Sequence, residues 1–203
     1  MNIRVSGSSP NPLVRSAGML AGLYLFPVAL LVTGAIPFTW RFHTLILAAS
    51  IAIATSSSRR YSTASLGMAF PRFSSLAAWS VVPTALLVCT IAFSSFPGRH
   101  LPPDRLLFYL FFVFISAPAQ EFLYRSFLFA ELGNLQVPQI AITVISALLF
   151  ALMHAIYRDV VTVALTFLVG LVWAVIYNAT QSFYIVAISH AALGAIAIWL
   201  GVI

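Results

Sequence analysis

Five polar side chains stand inside stretches otherwise fit for lipid. Gln120, Glu121 and Arg125 fall within SAPAQEFLYRSFLFAEL, His154 closes FALMH, and His190 lies in IVAISHAALG. An ionisable group in a membrane helix costs several kcal/mol unless it is paired, hydrated or turned toward the bundle interior, so each is a candidate functional residue. Glu121 and Arg125 are four positions apart and share a helical face, where they can divide the cost of losing water. They form either a structural ion pair or a carboxylate beside a water, with the permanently charged Arg125 setting its geometry. His154 and His190 lie on different expected helices. With Glu121 they would activate a water, or hold one divalent metal ion such as Zn with a position left for water. The spacing does not choose between these uses. HExxH, GxSxG and a cysteine cluster are all absent. Ser116, Ser126, Ser146 and Ser189 also lie in apolar helices, and Ser189 abuts His190. Neighbours on a helix do not face each other, and short hydroxyls there usually bond their own backbone, so a Ser–His dyad is disfavoured.

The elements that must position these groups follow from composition. The 203 residues are 62% hydrophobic and only 7% charged, with a mean hydropathy of +1.04. Soluble domains carry about 25% charged residues, so most of this surface is made for a bilayer. The net charge of +6 comes from arginines scattered singly or in one pair between apolar runs. They form no stripe that would follow a phosphate backbone, which argues against nucleic acid. The lone Cys89 cannot form an internal disulfide.

Apolar runs at 17–36, 40–56, 75–96, 106–131, 140–157, 160–178 and 183–203 predict an all-α, polytopic transmembrane bundle of about seven helices, with six to eight as the range. Residues 1–16 read as a flexible tail, and 17–203 as a single transmembrane domain. The first run is longer than the core of a signal peptide and is read as a retained helix. The run 106–131 is too long for one plain span and contains Pro118, which predicts a kinked helix or two helices. PGRHLPPDR, at 97–105, is a proline-punctuated loop that separates the amino half from the rest. With the amino terminus in the cytoplasm, five arginines fall inside and four outside, a slight positive-inside bias.

The polar constellation resembles the type II CAAX prenyl endopeptidase and bacteriocin-processing group of intramembrane proteases, also called the CPBP or Abi family. That family carries Glu-Glu-x-x-x-Arg, then Phe-x-x-x-His, then His-x-x-x-Asn or Asp. The matching stretches are Gln120-Glu121-Phe-Leu-Tyr-Arg125, Phe150-Ala-Leu-Met-His154 and His190-Ala-Ala-Leu-Gly194, and the resemblance covers 106–203. Taken alone, Phe150 reads as an ordinary helix-packing aromatic. Two positions depart from the pattern. The resemblance gives the water-activating base to the position of Gln120, an amide that accepts no proton at useful pH. It gives a partner in oxyanion stabilisation to the position of Gly194, which has no side chain, leaving Asn178 or a backbone group as substitute donor.

Three explanations of Gln120 compete: an engineered replacement that traps an active protein, a natural variant in which Glu121 is the base, and a degenerate homologue that binds membrane peptides without cutting. The resemblance implies hydrolysis of a peptide bond in a membrane-associated protein, near its C-terminus. In that reading Glu121, or a glutamate restored at 120, deprotonates a water held with His154, His190 stabilises the oxyanion, and Arg125 orients the carboxylate. No cofactor is demanded; the metal set Glu121, His154 and His190 is the alternative. A noncatalytic scaffold or chaperone for transmembrane tails and a small-solute or ion transporter are the other classes. The lipid bilayer and a membrane-bound protein or peptide are the expected partners. Arginine without lysine points to a bacterial source and hence an inner membrane, and nothing in the chain sets an oligomeric state. Counting about 1.5 Å per residue places Glu121 about 22 Å along its run and His154 about 21 Å along an opposite one, toward opposite faces of the membrane.

Overall fold

Helices are the only regular solution for a chain this apolar, because lipid cannot satisfy exposed backbone groups. The computed structural model describes residues 12–71 and 105–201, and among them the regular structure is entirely helical. Five helices are long and apolar enough to span a bilayer: α1 (Leu13–Thr33), α2 (Phe38–Ser58), α3 (Leu106–Asn134), α4 (Gln139–Tyr157) and α5 (Val160–Thr180). A shorter apolar helix, α6 (Phe183–Trp199), follows. The expected span at 75–96 lies outside the described residues, as do the first 11 residues of the expected tail.

Boundaries differ from the hydropathy runs where local chemistry intervenes. The first helical segment already starts at Pro12, and α1 stops at Gly34, whose φ of 79° suits a residue without a side chain. Asp159 opens α5 by accepting the backbone N–H groups of Val161 and Thr162 at 3.1 and 3.3 Å. The long run around Pro118 is one continuous helix, neither two helices nor a plain span. A π-helical stretch at Phe112–Ser116 precedes the proline, and the Ala117 N–H reaches back five residues to the Phe112 carbonyl. The wider turn relieves the crowding that the ring would cause. The same device precedes Pro27 in α1, at Ala21–Leu25.

The helices alternate in direction. Ser16, Arg59 and Glu131 meet at one end, where α1 begins and α2 and α3 finish. At the other end Arg158, after α4, donates to the Val32 carbonyl of α1 at 3.0 Å. Lipid-facing surfaces carry exposed Leu47, Leu107, Phe114, Ile140 and Val160, while Tyr24, Tyr124, Phe127, Phe150, Trp173 and Tyr177 are buried in the centre. Gly170 lets α4 and α5 approach closely: a Cβ there would sit 3.0 Å from the Phe150 ring.

Candidate active site

The centre is built from α3 inward. A third π-helical stretch, Phe122–Phe127, holds Arg125 one turn below Glu121, and both side chains are completely buried. Widened turns leave carbonyls for other donors. The Tyr24 hydroxyl of α1 takes the Leu123 carbonyl at 2.6 Å, and Ser146 of α4 takes that of Tyr124 at 2.7 Å. These bonds set the rotation of α3 against its neighbours.

Arg125 donates to Glu121 Oε1 at 3.2 Å and to the Gly170 carbonyl at 2.9 Å, with its guanidinium 4.6 Å from the centre of the Phe150 ring. The same Glu121 oxygen accepts from His190 Nδ1 at 2.7 Å. Glu121 Oε2 has no partner. A carboxylate paired with a guanidinium accepts and does not donate, so the His190 proton sits on Nδ1 and the lone pair on Nε2. His154 is fixed the same way: its Nδ1 lies 2.9 Å from the Phe150 carbonyl, which can only accept. Among the described residues neither Nε2 has a hydrogen-bond partner.

Phe150 stands between the two imidazoles, its ring 4.8 Å from His154 and 5.5 Å from His190. Trp173 stacks on His190 at 4.3 Å and 24°, and its indole N–H bonds Ser189 at 3.1 Å. Ser189 therefore orients the tryptophan that supports His190, and it makes no contact of the Ser–His kind.

A cavity of about 280 Å³ runs between α1, α2, α3, α4 and α6. Gln120, Ser116, His154 and His190 line it, whereas Glu121 and Arg125 lie behind the wall. Gln120 donates to Ser116 Oγ at 3.0 Å and leaves its Oε1 unpartnered. The α3 helix, at 29 residues, is much longer than α4, so counting depth from each run's start misjudges where they meet. That removes the expected separation of Glu121 and His154 onto opposite faces.

Two expectations change. Among the described residues no three His, Cys, Asp or Glu side chains are placed to hold a metal ion. Glu121, His154 and His190 are not gathered into such a group, since both histidines line the cavity and Glu121 does not. Asn178 cannot replace the missing donor near Gly194, since it is exposed near the far end of α5 and does not line the cavity. Gly194 itself is filled from outside: a Cβ there would meet Phe112 Cζ at 2.4 Å. The aromatic ring occupies the space that an asparagine side chain would need.

Sequence reading missed Glu131. It is 1% exposed and binds Arg59, Ser16 and Tyr61, with Ser16 and Tyr61 each at 2.5 Å. Burial, and then the bond to Glu131, hold the Tyr61 phenol above its ordinary pKa. The signal was a second acid at the end of a hydrophobic run.

Fold and centre together define a polytopic helical membrane protein with a buried carboxylate–histidine pair. Residues 102–196 match the family model Rce1-like, type II CAAX prenyl endopeptidase Rce1-like. The match takes in all three motifs, so this carboxyl part of the chain is similar to that family in the region that builds the centre. No curated protein and no solved structure matches the chain.

Proposed function

We propose that this protein is an intramembrane endopeptidase that hydrolyses a peptide bond of a membrane-associated protein near its C-terminus. The observation that carries the reading is the pair of imidazoles with protons fixed on Nδ1, both facing one membrane-embedded cavity. His154 Nε2 takes a proton from water as the oxygen adds to the scissile carbonyl, then returns it to the leaving amine. His190 takes a second proton from solvent at Nε2 and donates a hydrogen bond to the oxyanion, whose negative charge balances the imidazolium. Glu121 and Arg125 act as positioning residues, because they lie behind the cavity wall. We place the protein in a bacterial inner membrane with its amino terminus in the cytoplasm, on the arginine distribution.

A second reading has its own observation. No Asp or Glu is among the described residues lining the cavity, and Gln120 stands where the resemblance requires a base. A protein that binds membrane tails without cutting them fits that lining. Both readings are tested by reconstituting the native chain, His154→Ala and Gln120→Glu with membranes and identifying new C-termini by mass spectrometry. Cleavage by the native chain that falls about 10²- to 10⁴-fold in His154→Ala supports hydrolysis. Cleavage by Gln120→Glu alone supports the binding protein, and native cleavage indifferent to His154 overturns the assigned base.

A further inference from the structure

The same cavity holds a cation that the proposed chemistry does not use. Arg41, at the start of α2, lines it together with Phe42, Thr44 and Tyr157. The guanidinium lies 4.2 and 4.4 Å from the centres of the Phe38 and Phe42 rings and donates to the Phe38 carbonyl at 3.2 Å. Its Nε is buried with no partner. Among the described residues Arg41 has no ion pair, and no carboxylate lines this cavity. A half-buried guanidinium in a membrane protein calls for a counter-anion, and aromatic rings solvate it only in part.

Position narrows the choice of anion. Arg41 lies at the end of the bundle where α2, α3 and α5 begin, flanked by exposed Phe38, Trp40 and Tyr157. Aromatic side chains in such a belt mark a membrane–water boundary. Below it, Val28, Leu31, Leu45 and Ile198 form an apolar wall. A negative head above an apolar tail is complementary to that profile, and its ligand is present wherever the protein is.

We propose that this end of the cavity binds the phosphate of an anionic phospholipid, held by Arg41, with an acyl chain along the wall of Val28, Leu31, Leu45 and Ile198. The lipid then shares the cavity with whatever peptide reaches His154 and His190. This rests on the cavity and the unpaired charge, so it stands or falls apart from hydrolysis. The experiment is native mass spectrometry of the full chain purified with equal phosphatidylglycerol and phosphatidylcholine. The native protein should retain phosphatidylglycerol in preference. Arg41→Gln should lower that preference about fivefold, the scale of one arginine at an anionic lipid surface. Arg41→Lys should keep most of it, and Arg60→Gln, at the other end of α2, should leave it unchanged. Equal retention in Arg41→Gln overturns the site, and an equal loss in Arg60→Gln reduces it to net charge. Displacement by millimolar inorganic phosphate would make it a free-anion site, and displacement by a peptide acid but not its amide would make it a peptide site; either overturns the lipid.

Discussion

His190 Nδ1 donates to Glu121 Oε1 across 2.7 Å, joining α6 to α3 through the same oxygen that receives Arg125. One carboxylate thus neutralises a buried guanidinium and fixes an imidazole. Its neighbour Gln120, one step round the helix, faces the cavity instead. Adjacent positions therefore face different surroundings, the first the cavity and the second the buried ion pairs.

Glu121→Gln should destabilise the protein by about 3 to 5 kcal/mol, because it leaves Arg125 buried without a counter-charge. Gln120→Glu should cost much less, since the new carboxylate faces the cavity and can accept from Ser116. Thermal unfolding of both variants in one detergent checks the contrast, and an equal loss would mean that the two positions are not divided in this way.

Gly194→Asn should cost about 1 to 3 kcal/mol, the usual range for overpacking, because the new side chain enters the Phe112 ring. Combined with Phe112→Ala, the asparagine gains room, and the double variant should be more stable than the two separate losses predict. A coupling of about 0.5 to 3 kcal/mol in the double-mutant cycle is expected. Additivity would mean that the ring does not occupy the asparagine's space.

Ser189→Ala should leave the buried Trp173 indole N–H without its acceptor, at about 1 to 3 kcal/mol. Cysteine or threonine at 189 should recover part of this. Indole emission should shift in Ser189→Ala and not in Ser57→Ala, a change at an exposed position on α2.

Tyr61 supplies a pH-dependent contribution. Its folded pKa is raised, so the stability it adds is complete below the ordinary phenol value near 10 and is lost as pH rises through the folded value. Unfolding temperature should fall on alkaline titration above about pH 10. Tyr61→Phe should be less stable near neutrality, having lost the bond to Glu131, and should show a smaller alkaline decline. Identical declines in both proteins would remove Tyr61 from that transition.

Much of the scaffold was legible in the chain. Hydropathy over 17 or more residues and the need to satisfy backbone groups in lipid specify where helices run, and both are local properties. The costly groups Glu121, Arg125, His154 and His190 announced themselves because an apolar run gives no reason for them. The spacing of Glu121 and Arg125 already placed them on one face. Glu131 escaped because its partners Ser16, Arg59 and Tyr61 come from distant segments, and no local pattern links them.

Rotation, depth and shared volume were settled only by tertiary packing. Gln120 faces the cavity and Glu121 the wall because Tyr24 and Ser146 hold the widened turns of α3 at one angle. His154 and His190 meet around Phe150 because helices of unequal length pack side by side, which counting along each run cannot foresee. Phe112 fills the place above Gly194, although 82 positions separate them in the chain. Helix formation depends on neighbours in sequence, whereas the direction a helix turns its polar side chains depends on which remote surfaces exclude lipid together.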